Sequence, residues 1–149
     1  MARLLLLNGP NLNLLGDRET RYYGTGHLDE VNANLIEMAA TLGHELICKQ
    51  SNSESMLIQW IQDAKTDHIA CMIINPAAYT HTSIAMRDAI SAIHLPFIEV
   101  HISNIYARES FRHHSFFSDI AIGCISGLGI RGYEFALSAA HHYLKEQTH

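Results

Sequence analysis

Glu99 and His101 stand two residues apart at the end of an apolar run, and this spacing brings a carboxylate and an imidazole together. In a β-strand both side chains would lie on the same face, because strand side chains alternate with a period of two. A neighbouring carboxylate can fix the tautomer of the ring and raise its pKa, which suits a histidine to donate a proton. A lone histidine at a strand end is as often a partly buried residue hydrogen-bonded to the backbone as it is a catalytic acid. The pair therefore indicates acid chemistry only where other functional groups converge.

Tyrosines and arginines in two long connections offer the complementary chemistry. A tyrosine beside an arginine can have its phenolate stabilised, so that a group with a pKa of ~10 acts as a base near neutral pH. Arg18 lies close to Tyr22 and Tyr23 in the first connection, and the residues alone do not choose between the two tyrosines. Arg108 and Arg112, in the second connection, are about a helical turn apart and could face one pocket. Solvated loop side chains are the alternative interpretation of both groups.

The segment Tyr79-Thr80-His81-Thr82-Ser83 precedes a predicted helix. The amino end of a helix offers free amides and a positive dipole end, which suit a hydroxyl or carboxylate group on a ligand. We expect Thr82 or Ser83 to cap the helix and His81 to add a further donor.

These groups need a scaffold, and the alternation of apolar runs with helical patterns predicts a parallel sheet covered on both faces. The predicted strands cover residues 3–8, 45–50, 69–74, 97–102 and 120–125. Helical spacing occurs over residues 28–42, 56–64, 84–93 and 133–144, with Gly43 placed to end the first helix and Ser53 or Ser55 to begin the second. The chain of 149 residues therefore predicts one α/β domain, residues 1–149, with the flavodoxin-like strand order 2-1-3-4-5.

Polar residues replace apolar ones abruptly where three of the predicted strands end. These positions are Asn8 to Asn11 after strand one, Asn75-Pro76 after strand three and His101 to Asn104 after strand four. In the predicted order the three strands are adjacent, and ligands of open α/β sheets bind outside the carboxyl ends of the strands. We therefore expect the three segments to meet at one ligand site.

Composition excludes several classes of function. The formal charge of -5 gives no reason to expect nucleic acid binding, although a local arginine cluster could still hold an anion. The longest apolar run, Ile69 to Ile74, is far shorter than the roughly 20 residues of a membrane-spanning helix. Cys48, Cys71 and Cys124 are widely spaced in apolar surroundings, which predicts buried free thiols in a reducing compartment. We expect a cytoplasmic protein that binds neither nucleic acid nor membrane.

Three further patterns predict structure rather than a cofactor. Gly127 to Gly132 matches G-x-G-x-x-G, but it follows the last predicted strand, and a tight turn is the favoured interpretation. The pairs His113-His114 and His141-His142 are adjacent residues that do not share a helix face, so we expect no metal site. None of the three lysines ends a predicted strand, which argues against a Schiff-base mechanism.

Several blocks of the sequence resemble type II 3-dehydroquinate dehydratases, and they occur in the family's order over nearly the whole chain. They are Asn8-Gly9-Pro10-Asn11-Leu12, Arg18 with Tyr23-Gly24, Gln50-Ser51-Asn52-Ser53-Glu54, Ile74 to Ser83, Glu99 to Asn104, and Gly127-Leu128-Gly129. One departure is Thr20, where many members have proline after the Arg-Glu pair. The departure bears on the stiffness of the connection and not on its chemistry.

The resemblance implies a metal-free elimination of water from 3-dehydroquinate without a cofactor. By this resemblance Tyr23 is the base that removes the proton next to the ring ketone. Arg18 lowers the pKa of that tyrosine and stabilises the transition state, and Asn11 holds a water against the enolate oxygen. His101, oriented by Glu99, protonates the departing hydroxyl.

The same resemblance implies a set of substrate-binding residues and an assembly. The residues that bind substrate are Asn75, His81, Ile102, Ser103 and Arg112, and the backbone amides of Ile102 and Ser103 receive the carboxylate. Asp88 is donated by a neighbouring subunit, and the family's trimers stack four at a time into homododecamers.

A non-catalytic flavodoxin-like ligand-binding module is the alternative function. A phosphate-receiving module would carry acids at the ends of strands one and three, where Asn8 and Asn75 stand. A flavin carrier would need a hydroxyl-rich loop after strand one, and Gly9 to Leu12 is not one. Both observations favour the enzyme.

Overall fold

Five parallel strands form one sheet within the residues that the computed structural model describes, 1–17 and 27–148. The strands are β1 (Arg3–Asn8), β2 (Glu45–Gln50), β3 (Ile69–Asn75), β4 (Phe97–His101) and β5 (Gly123–Ser126). Their order is β2-β1-β3-β4-β5, which confirms the predicted flavodoxin-like order. β1 and β3 end side by side because Asn8 pairs with Asn75.

Helices cover both faces of this sheet, as predicted. The described residues contain the α-helices α1 (Leu28–Thr41), α2 (Glu54–Thr66), α3 (Ile84–Ile93) and α4 (Arg131–Gln147). The leucines of β1 alternate between the two faces: Leu4 and Leu6 pack in the core of α1 and α4, whereas Leu5 and Leu7 pack in the core of α2 and α3. All four are at most 3% exposed, so β1, an interior strand, is buried on both faces.

Local side-chain and backbone bonds fix where the helices begin and end. The Ser53 hydroxyl accepts the Met56 amide hydrogen at 3.3 Å, and the Ser83 hydroxyl accepts that of Met86 at 3.0 Å, so these serines are the caps. α1 ends in a Schellman motif, in which Gly43 adopts a φ of 85°. The His44 amide donates to the Ala39 carbonyl at 2.9 Å, and the Gly43 amide donates to that of Ala40 at 3.0 Å.

The fifth strand begins later than predicted. It starts at Gly123, whereas residues 120–122 form turns and bends. The Ile120 amide donates to the Phe117 carbonyl at 3.1 Å, and the side chains of Phe117, Ile120 and Ala121 pack into the core beside α2 and α3. The apolar run that predicts a strand from residue 120 is therefore a turn that packs against the core. Strand β4 likewise ends at His101 and not at residue 102.

The prediction of three buried thiols is wrong for one cysteine. Cys71 is buried and Cys48 is half-buried, but Cys124 is exposed because β5 is an edge strand. No helix in the described part of the chain is long and apolar enough to cross a membrane.

Candidate active site

A pocket of about 130 Å³ lies at the carboxyl ends of β1, β3 and β4. The three segments that the sequence predicts to converge all contribute to its wall. Its polar lining residues are Asn11, Asn75, His81, His101, Ser103, Arg108 and Arg112, and Ile102 is among the apolar ones. The convergence predicted from the strand order is thus confirmed.

The loop after β1 is held close to β3 and to the segment after β2. The Gly9 amide donates to the Asn75 carbonyl at 2.8 Å, and a Cβ at Gly9 would lie 2.4 Å from the Pro76 carbonyl oxygen. The Asn52 side chain accepts the Asn11 amide hydrogen at 2.9 Å. Asn11 itself is left-handed, with a φ of 70°, a conformation that asparagine tolerates. These contacts present the Asn11 side chain at the pocket wall.

A hydrogen-bonded chain fixes the orientation of the Asn75 amide. Its Oδ1 accepts the Ala77 amide hydrogen at 3.1 Å, and its Nδ2 donates to the Tyr133 hydroxyl at 2.9 Å. The Tyr133 hydroxyl donates in turn to Asn8 Oδ1 at 2.6 Å. Because the Asn75 oxygen faces a backbone donor, the polar hydrogen left for the pocket belongs to Nδ2. Asn75 can therefore offer one Nδ2 hydrogen to a ligand. The sequence pattern does not reveal Tyr133, which lies far along the chain on α4.

Glu99 and His101 form the buried pair that their spacing predicts. His101 Nε2 hydrogen-bonds to Glu99 Oε2, and the side chains are 5% and 0% exposed. Burial by itself would raise the pKa of Glu99, but the hydrogen bond and charge of His101, together with bonds from Ser118 and Ser115, outweigh burial and hold that pKa below its usual value. The ionised carboxylate keeps the hydrogen on Nε2, which leaves Nδ1 as the histidine nitrogen that Glu99 does not engage.

His81 lies at the pocket with one nitrogen already used. Its Nδ1 lies 2.8 Å from the His114 carbonyl oxygen, so this nitrogen carries the hydrogen and donates it. Burial lowers the pKa of His81, against the opposing effect of this hydrogen bond, and the charges of His101 and Arg112 lower it further. The neutral ring offers Nε2 to a ligand as an acceptor. The expectation that His81 donates to a ligand stays a prediction, and the bond to His114 favours Nε2 as an acceptor instead.

Arg108 and Arg112 both line the pocket, as their spacing predicts. Arg108 donates to the Ser103 hydroxyl at 3.4 Å. Arg112 pairs with the Glu109 carboxylate, and its guanidinium lies 5.1 Å from the centre of the Phe111 ring. The two cations make this rim suitable for an anionic ligand in a chain of net negative charge.

Some predicted site residues lie elsewhere. Arg18, Tyr22 and Tyr23 lie outside the described residues. Asp88 is exposed on α3 and does not line the pocket of its own chain, and its place in a neighbouring subunit's pocket stays a prediction.

The glycine-rich segment after β5 forms the predicted tight turn. Gly127 and Gly129 have φ values of 88° and 66°. Their amides donate to the His101 and Ile102 carbonyls at 3.2 and 3.0 Å. The turn therefore braces the strand end that carries His101.

One group of possible metal ligands, which the sequence spacing missed, lies at this site. Ligand atoms of Glu99, His101 and Cys124 all lie within 4.8 Å of one another. Both Glu99 oxygens already accept hydrogen bonds. Although Cys124 is exposed as a residue, desolvation of its thiol and then the Glu99 charge raise its pKa to about 11, so the thiol is protonated near neutral pH. Metal ligation needs deprotonated ligands, and this donor set suits proton transfer better.

Comparison with known proteins extends these observations to nearly the whole chain. The family model described as Dehydroquinase class II matches residues 2–141. The 3-dehydroquinate dehydratase of Nitrosococcus oceani is 60% identical over 139 residues, which cover 93% of this chain and 95% of the relative. That of Legionella pneumophila (strain Corby) is 59% identical over 145 residues, which cover 97% of this chain and all of the relative.

Solved structures agree with the sequence comparisons. The type II dehydroquinase from Propionibacterium acnes superimposes with a TM-score of 0.90 at 47% identity, covering 95% of this chain and 97% of that one. The type II dehydroquinase from Butyrivibrio crossotus gives a TM-score of 0.91 at 41% identity, covering 93% and 97%. The strand order, the pocket at the strand ends and the matching sequence blocks all point the same way: the chain belongs to the class II dehydroquinase family.

Proposed function

We propose that the protein removes water from 3-dehydroquinate to give 3-dehydroshikimate, by anti elimination through an enolate. The observation that carries the proposal is the buried Glu99–His101 pair at a pocket that also holds Arg108 and Arg112. The names of the relatives supply the substrate. The enzyme needs no metal and no cofactor in this scheme, because a base and an acid suffice for the elimination.

His101 supplies the acid half of the reaction. The departing tertiary hydroxyl takes a proton from His101 and leaves as water. Glu99 stabilises the doubly protonated ring before this transfer and keeps the hydrogen on Nε2 afterwards. The transferred proton therefore comes from Nδ1.

The base half belongs to the connection between β1 and α1. Tyr23 takes the proton next to the ring ketone, and Arg18 stabilises its phenolate. The electrons of the broken C–H bond move onto the ketone oxygen as an enolate, and a water held by Asn11 donates a hydrogen bond to that oxygen. Base and acid then stand on opposite faces of the ring, as an anti elimination requires.

The remaining pocket groups bind the substrate and fix its orientation. The backbone amides of Ile102 and Ser103 receive the carboxylate, with Arg112 as the nearby cation. Asn75 donates a hydrogen bond to a ring hydroxyl, and the neutral His81 ring accepts one. A substrate that lacked these hydroxyls would leave one Asn75 Nδ2 hydrogen and His81 Nε2 without a ligand partner, which gives the site its selectivity.

The function is tested by incubating the protein with 3-dehydroquinate and following the ultraviolet absorbance of the conjugated enone product. Tyr23→Phe should abolish turnover while ligand binding stays measurable, because only the phenol oxygen is lost. Tyr22→Phe, the matched control, should be much milder. Comparable losses in the two variants would mean that the base is wrongly assigned, and wild-type protein without turnover would reject the function.

We also propose that the active unit is a homododecamer, a tetramer of trimers, in which Asp88 reaches the pocket of a neighbouring subunit. Asp88 stands about five residues beyond the cap of α3, or roughly 8 Å along the helix at about 1.5 Å per residue, too far for its short side chain to return to its own pocket. Inactive Asp88→Ala and Tyr23→Phe parents, dissociated and reassembled together, should regain activity in mixed trimers. No recovery despite confirmed mixing would reject the shared site. We propose further that residues 1–149 form a single domain and that the protein is cytoplasmic.

A further inference from the structure

Three hydroxyl groups surround the Glu99 carboxylate in addition to His101. Glu99 Oε2 accepts hydrogen bonds from Thr80 Oγ1 at 3.0 Å and from Ser115 Oγ at 2.8 Å. Glu99 Oε1 accepts one from Ser118 Oγ at 2.6 Å. Glu99 has no exposed surface, so these bonds replace the water that an ionised carboxylate would otherwise hold.

The groups that can carry charge near Glu99 are few. His101 on β4 is its ion-pair partner among the described residues. Cys124 on β5 and His81, after β3, interact with it through charge. No arginine or lysine forms an ion pair with it in the described part of the chain. The three hydroxyls are thus donors whose charge does not change when His101 gains or loses a proton. They can therefore keep the Glu99 carboxylate ionised and in one position through the reaction.

The same hydroxyls also hold a segment of chain. Ser115 and Ser118 follow Arg112 in the connection between β4 and β5, and two further bonds fasten this stretch. The Phe116 amide donates to the Thr80 carbonyl at 2.8 Å, and His81 bonds to the His114 carbonyl. The stretch that follows the pocket arginines is therefore tied to Glu99 and to the residues after β3.

We propose that Thr80, Ser115 and Ser118 are positioning residues, which hold the Glu99 carboxylate behind His101 and fasten the arginine-bearing segment to this pair. The inference rests on the proposed function, in which Glu99 must stay ionised to support His101 as the acid. The charge of Glu99 then has two roles: it orients His101, and it anchors the segment that carries Arg108 and Arg112. Loss of any hydroxyl donor should weaken both roles first at acidic pH, where the carboxylate becomes protonated.

The experiment compares the pH dependence of kcat/KM in wild type, Ser118→Ala and Thr80→Val. Thr80→Val keeps the shape of the side chain and removes only the hydroxyl. A hydrogen bond to a charged group corresponds to roughly one pKa unit, so the acidic limb of Ser118→Ala should move up by about one pH unit. Thr80→Val should move the limb in the same direction. In Ser118→Thr, which retains a hydroxyl, the acidic limb should return to its wild-type pH. Ser110→Ala, at an exposed serine of the same segment, should leave the acidic limb at the wild-type pH.

A second measurement reads the carboxylate without turnover. In protein labelled with carbon-13 at glutamate side-chain carboxyls, the Glu99 signal is identified by its loss in Glu99→Gln, and its titration midpoint should rise by about one unit in Ser118→Ala. An unmoved midpoint, or a uniform fall in kcat/KM without a shifted acidic limb, would overturn the inference. If the midpoint moves but wild type does not dehydrate 3-dehydroquinate, the positioning network stands and the proposed function fails.

Discussion

The hydroxyl of Tyr133 joins two strand ends beneath the pocket, and Tyr133→Phe removes that link alone. Tyr133 has no exposed surface, and its oxygen bridges Asn8 Oδ1 and Asn75 Nδ2 at 2.6 and 2.9 Å. Phenylalanine keeps the ring packing against β1 and β3. Asn8 would lose its side-chain hydrogen bond, because its Nδ2 is buried without a partner among the described residues. Asn75 would keep only the bond from Ala77.

The size of the stability loss follows from the two side-chain amides, of Asn8 and Asn75, that lose their hydrogen bond to Tyr133. A buried polar group left without a partner costs about 1–3 kcal/mol, and the saving from not burying the hydroxyl offsets part of the sum. We therefore expect the free energy of unfolding to fall by about 3 kcal/mol. For a chain of this length that corresponds to a fall in Tm of roughly 6–12 °C. The KM for 3-dehydroquinate should also rise more than kcat falls, because the Asn75 donor loses its fixed orientation.

Thermal unfolding followed by circular dichroism, with calorimetry for the enthalpy, measures the first effect. Tyr143→Phe is the matched control: this half-buried tyrosine lies on the same helix, and its hydroxyl makes no hydrogen bond to the described residues. We expect the control to lie within about 1 kcal/mol of wild type. A Tm of Tyr133→Phe within 2 °C of the control, roughly the shift for 1 kcal/mol, would refute the view that this chain of amides stabilises the strand ends.

Three other predictions address separate parts of the molecule. Gly9→Ala should prevent stable folding or lower Tm by more than 10 °C (roughly the shift for 3 kcal/mol or more), since its Cβ would lie 2.4 Å from the Pro76 carbonyl oxygen; a Tm near wild type would contradict this. Burial, and then the charge of His141, lower the pKa of His44, so the folded state binds a proton less readily than the unfolded state. Stability should be full above about pH 6.5 and fall as the pH drops towards the folded-state pKa, and His44→Gln should flatten that fall in urea midpoints measured from pH 7.5 to 5. Activity should survive EDTA and, in the presence of substrate, borohydride; a loss with either reagent would argue for a metal or a Schiff base.

The sheet and the convergence of its strand ends follow from local patterns. The run Leu4 to Leu7 is apolar at every position, as a strand buried on both faces must be, and polar residues mark where it ends. The pair Glu99 and His101 is equally local, because a two-residue spacing determines the face. These features need no information about distant parts of the chain.

Other features of the site depend on tertiary contacts that no local pattern encodes. Tyr133 is 58 residues from Asn75 and 125 from Asn8, so its role emerges only when α4 packs on the sheet. Ser115 and Ser118 lie in an irregular connection without periodicity, where a serine bonded to a buried carboxylate looks like any surface serine. The choice between Tyr22 and Tyr23 rests on the resemblance to a family, since both have the same chemistry.

The interior position of β1, between β2 and β3, bears on how the protein is made. β1 is complete at residue 8, but the segment that pairs with its second edge ends at Asn75. At about 5–20 residues per second, ribosomal synthesis separates these two points by roughly 3–13 s. β2 can pair with one edge of β1 once residue 50 has been made, but the other edge stays unpaired until β3 is complete, and an unpaired apolar strand edge is a site of misassociation. We therefore expect the nascent chain to need shielding of this edge of β1, and synonymous codon changes that slow translation before residue 75 should lower soluble yield without altering the finished enzyme.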